Sequence, residues 1–248
     1  MAAGLVAAGV VTTAFFGARE AAKALKAGGT AASHGMTSDQ LNALLHAGGS
    51  PTPGGPSASP AVLPASAMLQ VPYTVQAPYG NWSFHQESCE EAALLMYRAF
   101  LAGDLRADIP AAEADQQLRA LKAWQVSHWG AERDLDLEHT GQLAHDYFGY
   151  SYRVLPATID TIRAEVAAGH PVVVPVMTHS LQNSNYGGKS VYHEVLIKGY
   201  TSSGVITNDP GISQGKNWFY SWPVIFQAID AQTAAMKQGQ VMLVLGAS

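Results

Sequence analysis

The order of apolar and polar positions divides the chain into a run of helices followed by a run of strands. From Glu90 the residues Glu-Glu-Ala-Ala-Leu-Leu-Met-Tyr-Arg-Ala-Phe hold neither glycine nor proline, and Ala92, Ala93, Met96 and Phe100 recur at helical spacing. Pro110 to Trp124 predicts a second helix with Leu118, Leu121 and Trp124 inward, and Leu135 to Phe148 a third that groups Leu143, Ala144, Tyr147 and Phe148. Ser151 to Leu155 reads as a short strand. Thr158 to Ala168 reads as a helix that stops at Gly169, a residue suited to a helix C-terminus. Pro171 to Met177 is a short, apolar, β-branched run, the pattern of a buried strand. His193 to Tyr200 alternates, with His193, Val195 and Ile197 on one face. Thr201 to Gly204 makes a turn, and Val205 to Asp209 returns. Phe219 to Trp222 predicts a further strand, Pro223 opens a helix through Ala228, and Val241 to Leu245 closes the sheet. Helices first and a mostly antiparallel sheet after them make an α+β pattern.

The first 67 residues carry weaker patterns. Met1 to Gly17 is uncharged and apolar and is followed by Arg19, Lys23 and Lys26. It is shorter than the about 20 residues a membrane span needs, and it lacks the positive start of a signal peptide. An export signal or anchor, an amphipathic leader, and the first turns of an Ala-rich helix all fit; an atypical export signal fits best. The expected location is therefore extracytoplasmic or membrane-associated, although positive charge after the apolar run argues for the cytoplasm. Thr37 to Leu45 predicts a short capped helix. Ala47 to Ala67, rich in Gly, Pro, Ser and Ala, reads as a flexible linker. The predicted organisation is an N-terminal segment over 1–46, a linker over 47–67 and a folded domain over 68–248.

Composition narrows the function. In 248 residues, 48% hydrophobic and 13% charged, there is core enough for one sizeable domain. The net charge of −5 and the absence of any basic run argue against nucleic acid as a partner, because phosphate recognition needs clustered Lys and Arg. A single cysteine excludes an internal disulfide framework and every multi-Cys zinc site, and leaves a secreted destination open.

That cysteine, Cys89, sits where an irregular loop (Pro78 to Ser88) gives way to the first helix. Free backbone N–H groups and the dipole at a helix start favour a thiolate, whereas Glu90 and Glu91 would oppose it if they pointed the same way. A lone cysteine is also a common buried hydrophobe. Nucleophilic catalysis would need an imidazole and a group that fixes it. His193 opens one strand and Asp209 closes the next, so a hairpin places them at one rim, offset by a few residues. Asp209 shares a face with Val205 and Thr207, which prefers it as the orienting group, with Asn208 in reserve. Taken singly, His193 also reads as a core histidine and Asp209 as a turn residue before Pro210-Gly211.

Val71-Pro72-Tyr73-x-x-Gln76-Ala77-Pro78, Gly80-Asn81-Trp82, Cys89-Glu90-Glu91-Ala92, His193-Glu194-Val195-Leu196-Ile197-Lys198-Gly199-Tyr200 and Ile206-Thr207-Asn208-Asp209-Pro210-Gly211 follow in that order. From about Leu69 onward the chain resembles stand-alone bacterial relatives of the bacteriocin-processing, double-glycine-leader cysteine peptidases, within the papain-like superfamily. The resemblance implies a papain-like α+β fold, with the Cys89 helix packed on a sheet that carries the other two groups. It implies Cys89 as nucleophile, His193 as general base and acid, and Asp209 as the orienter of His193. It also implies a glutamine that meets the oxyanion. Gln76 holds the recurring motif position and ranks first; Gln86 lies nearer to Cys89. The Glu-Glu pair after the cysteine departs from the Gly-Pro common in the leader peptidases, and no transporter or nucleotide-binding region follows.

The resulting expectation is hydrolysis of a peptide or isopeptide bond through an acyl-enzyme, with a peptide or protein as partner and no cofactor or metal. Acyl transfer through the same intermediate, and a catalytically silent papain-like binding module at the cell envelope, are the alternatives. His128, His139, His145 and Asp146 match no compact metal motif. Trp82, Trp129 and Trp218 suit packing more than a groove. The polar loop from His179 to Gly188 suits either a cleft border or a plain connection. Gly28-Gly29 and Gly48-Gly49 are explained by composition.

Overall fold

Helix α2 (Cys89–Leu101) runs through the centre of the molecule, and nine consecutive residues from Cys89 to Tyr97 are buried. A helix apolar on every side has to be enclosed rather than laid on a surface. The computed structural model describes residues 33–47 and 63–246. The apolar start, both Gly-Gly pairs and most of the predicted linker lie outside these.

Strand β1 (Ser33–Gly35), helix α1 (Ser38–Ala47) and strand β2 (Ala67–Met68) precede α2. After it come α3 (Ala111–Trp129), α4 (Leu137–Phe148), β3 (Ser151–Pro156), α5 (Ile159–Ala167) and β4 (Val172–Met177). Two short 3-10 turns lead to β5 (Tyr192–Tyr200), followed by β6 (Gly204–Asn208), β7 (Trp218–Ser221), α6 (Trp222–Met236) and β8 (Val241–Gly246). The strands form one antiparallel sheet in the order β1-β7-β6-β5-β4-β8-β3, with β2 added to the end of β5. Among the described residues no helix is long and apolar enough to cross a membrane.

The predicted elements are present with shifted ends: α3 runs on to Trp129 and α6 to Met236, while α4 starts at Leu137 and α5 is a residue shorter at each end. The folded part was expected to begin near Met68, yet the sheet takes its edge strand from farther upstream. Ser33–Gly35 pairs with β7, and the Trp218 indole donates to Ser33 Oγ at 2.8 Å. Pro64 O accepts the Tyr200 hydroxyl at 2.9 Å, so the end of the predicted linker is also tied down.

The sheet is covered on both faces, which is why β5 is buried over all nine residues. On one face Val173, Leu196, Leu243 and Leu245 pack with Leu118, Leu121, Leu143 and the buried residues of α2. On the other, Val174, Val195 and Ile197 pack with Ile162, Ile225 and Ile229 of α5 and α6.

One irregularity in β5 positions the site. Tyr200 faces Val205 and Gly199 faces Ile206, but Ile197 faces Thr207 and Leu196 faces Asn208, so Lys198 is an extra residue. A one-residue insertion reverses the facing of everything beyond it. Without it, Asp209 would fall opposite Leu196, on the face of Glu194. With it, Asp209 falls beside Val195, on the face of His193.

Candidate active site

Cys89 is the first residue of α2, and the loop before it is clamped to α3. Asp115 of α3 accepts from Asn81 Nδ2 at 2.9 Å and from Arg119 Nε at 2.6 Å, and it pairs with His85 Nε2 at 3.0 Å. The Arg119 hydrogen bond, with help from Asn81 and His85, holds the Asp115 carboxyl well below the usual carboxylate range. Burial lowers the His85 pKa, so its neutral ring donates from Nε2 and accepts the Ser88 hydroxyl at Nδ1, 3.2 Å away. Ser88, His85 and Asp115 thus form a hydrogen-bonded chain, but Ser88 and His85 are sealed from solvent. The chain is a clamp and not a second nucleophile. Lys122 Nζ donates to Phe84 O, and the Lys122 and Arg119 cations each lie 4.1 Å from the centre of the Phe84 ring. Gln76 closes the loop from the other side, its Nε2 donating to His85 O at 2.8 Å and Gln86 O at 2.9 Å.

His193 and Asp209 meet across the diverging ends of β5 and β6. His193 Nε2 lies 2.9 Å from Asp209 Oδ1. The same oxygen accepts the Tyr186 hydroxyl at 2.6 Å and the Gly211 N–H at 3.0 Å, and Oδ2 accepts the Tyr220 hydroxyl at 2.6 Å. Burial alone would raise the Asp209 pKa. The His193 charge and the donors from His193, Tyr186 and Tyr220 outweigh it and bring the carboxyl below its ordinary value. Asn208 points the other way, donating to Val71 O at 3.0 Å and Pro72 O at 3.3 Å, so it ties the stretch that leads to Gln76 to the sheet.

A cleft of about 840 Å³ brings Cys89, His193, Gln76 and Gln86 together, with Tyr186, Tyr192, Trp82 and the Glu87–Asp134 pair in its walls. The 3-10 turns between β4 and β5 supply Tyr186 and Asn185, so that loop borders the cleft. Gln86 is exposed and donates to Glu87 Oε1 at 2.9 Å. Burial, reinforced by Glu87, pushes the Asp134 carboxyl up to about 7. Trp218 and Trp129 lie elsewhere, Trp218 on Ser33 and Trp129 edge-on to Trp124.

The environment of the sulfur differs from the one a helix start suggests. Burial pushes the Cys89 thiol well above its ordinary pKa, and Glu90 and Glu194 push it the same way. The Glu194 N–H aimed at the sulfur opposes them. Sγ donates to Glu90 Oε2 at 3.0 Å, so Glu90 turns inward beside the thiol instead of facing solvent. The favourable dipole is therefore overridden in this geometry by desolvation and by two neighbouring carboxyls.

Residues 68–234 match the Peptidase_C39 like family. The chain belongs to that family. It is a cysteine peptidase-like hydrolase with an α+β fold, as its motifs implied. No curated protein matches this family member. Among solved structures it is similar to a protein of Bacillus anthracis described as a C39-like peptidase, at 16% identity and TM-score 0.47 over 74% of this chain and 98% of that one. It is also similar to xylellain, a cysteine protease from Xylella fastidiosa, at 16% identity and TM-score 0.37 over 76% and 88%. Tyr186 and Tyr220 are site residues outside the motifs, while Gly211, Glu90 and Glu194 lie within them without a role at the site having been assigned. The signal for both glutamates was their position directly after a predicted catalytic residue, which for Glu90 already raised its effect on the thiol.

Proposed function

We propose that this family member hydrolyses a peptide or isopeptide bond through a Cys89–His193–Asp209 triad and an acyl-enzyme. The observation that carries the reading is His193, held at 2.9 Å by a buried carboxylate and opening into the same cleft as the only cysteine. With Nε2 committed to Asp209, Nδ1 is the nitrogen left to face the sulfur. The thiol proton passes to His193 as sulfur adds to the scissile carbonyl carbon. The C–N bond then breaks, and His193 returns the proton to the leaving amine. Water adds to the thioester and gives a proton to His193, and the C–S bond breaks to release the acid while His193 returns that proton to the sulfur. The oxyanion faces the Cys89 backbone N–H, which has no partner inside the helix. We assign Gln76 as the side-chain donor. It is buried in the cleft floor and fixed at both amide hydrogens, whereas Gln86 is exposed and turned to Glu87. One of its two carbonyl bonds passes to the oxyanion, a donor worth about 10²–10³ in rate.

The test is a peptidyl acyloxymethyl ketone read by intact mass. With one cysteine, any adduct is at Cys89. The wild-type chain should form it, and His193→Ala should slow it by about 10² or more. Equal rates in the two proteins would refute the pairing.

A further inference from the structure

Cys89 and His193 are each followed by a glutamate, and both glutamates turn to the same buried place behind the sulfur. Glu90 and Glu194 are fully buried. Glu90 Oε1 accepts the Leu135 N–H at 2.9 Å, while Oε2 meets Cys89 Sγ at 3.0 Å. Glu194 Oε1 accepts the Thr140 hydroxyl at 3.0 Å and the Tyr192 hydroxyl at 3.1 Å, and its Oε2 has no hydrogen-bond partner among the described residues.

We propose that Glu90 is a further catalytic residue, a neutral carboxylic acid that accepts from the Cys89 thiol at rest and donates to the thiolate during acylation. The proposal deepens the peptidase reading and rests on it for the chemistry, though not for the state of the thiol. The oxygen assignment follows from the contacts. Oε1 receives an N–H, so the acid proton belongs on Oε2, the atom that touches sulfur. At rest the Oε2 hydroxyl accepts the S–H. When His193 takes the thiol proton, the Oε2–H turns to the sulfur, so Glu90 keeps its own proton throughout and proton count is conserved.

The surroundings favour the neutral form. Burial raises the Glu90 carboxyl, and the Glu194 and Glu91 carboxyls raise it further. Helix α2 brings Cys89 and Glu91 against it, β5 brings Glu194 and Tyr192, and the segment before α4 brings the Leu135 N–H. Glu194 in turn faces Glu91, Asp136, Thr140 and Tyr192. Lys122 acts on Glu91. Three acids in one dry compartment tolerate few negative charges. A thiolate therefore forms readily only while both carboxyls hold their protons, and their ionisation at alkaline pH works against it.

The experiment measures iodoacetamide labelling of Cys89 against pH by intact mass, with wild type, Glu90→Gln and Glu90→Ala, each first shown to melt cooperatively. Glutamine keeps a donor and cannot ionise. Glu90→Gln should label within about threefold of wild type at pH 6 and several-fold faster at pH 8.5. Glu90→Ala, without a donor, should label about tenfold more slowly at pH 6. Equal labelling of the Ala and Gln variants at pH 6, or no gain for Gln at pH 8.5, overturns the proposal. If Glu90→Ala does not fold, Glu194→Gln replaces it: it should give the same gain at pH 8.5, and its absence counts against the proposal. Because labelling needs no peptide, a chain without peptidase activity would fail the triad reading while leaving this pattern measurable.

Discussion

Gly211→Ala should cripple the site without touching a reacting group. An ideal Cβ on Gly211 would lie 2.7 Å from the Tyr186 hydroxyl, 2.8 Å from His193 Cε1 and 2.9 Å from His193 Nε2. Ordinary contact begins near 3.4 Å, so the imidazole must retreat by about 0.6 Å. The Tyr186 hydroxyl must retreat as well, whereas Tyr220 and the Gly211 N–H still hold Asp209 in place. The His193–Asp209 separation of 2.9 Å then lengthens toward an upper bound of about 3.5 Å, past the best hydrogen-bond range. A misplacement of this size costs about 10–100-fold in kcat/KM. The backbone of Gly211 is not in the left-handed region, so alanine adds no backbone strain to the Tyr186 and His193 contacts, and the melting temperature should fall by no more than a few degrees. The assay is kcat/KM on a cleaved peptide beside a thermal melt of the same sample. Activity within twofold of wild type would show that the His193–Asp209 contact does not govern turnover.

Two further outcomes follow from the same contacts. Asp115→Ala removes the acceptor shared by Asn81, His85 and Arg119, so the loop before Cys89 should loosen. Hydrogen exchange of residues 81–88 should quicken and kcat/KM should fall about tenfold, and unchanged exchange would contradict the clamp. Stability should also decline from about pH 5 to pH 8. Burial raises Glu91 and Asp134 to about 7 and Glu194 to about 8, all above their ordinary values, so the folded chain binds more protons than the unfolded one across this window. The lowered Asp209 works in the opposite direction only at acid pH, where its contribution is lost as pH falls through the folded value. Glu91→Gln should flatten the alkaline decline seen by thermal melts; a melting temperature that rises from pH 5 to pH 8 would contradict the assignment.

The parts legible in the sequence were those with a strong local period. Pro171 to Met177 reads as a buried strand because β-branched residues fill it, and β4 is there. Cys89 at a helix start, and His193 and Asp209 at opposed strand ends, were visible as residue types in order. That a hairpin puts His193 and Asp209 at one rim was legible too; which face of β5 Asp209 meets was not, since it depends on the extra residue Lys198, whose effect on facing no alternation reveals. Strand β1 escaped notice because Ser-His-Gly has no apolar alternation and pairs only at the sheet edge. For Glu90 and Glu91 the sequence left open whether they point toward the thiol; tertiary enclosure of α2 buries both and turns Glu90 to the sulfur. The phenols on Asp209 come from Tyr186 and Tyr220, 23 and 11 residues away in sequence, and local spacing cannot join them.

The most direct test of the central claim is to mix the purified chain with a diverse peptide library and count new amino termini by mass spectrometry. Cys89→Ala and His193→Ala are the parallel samples. The account predicts cleavage by the wild-type chain that drops by at least about 10³-fold in Cys89→Ala and about 10²-fold or more in His193→Ala. Cleavage by the wild-type chain that persists unchanged in Cys89→Ala, or no cleavage above the variants at any pH from 5 to 9, would contradict it.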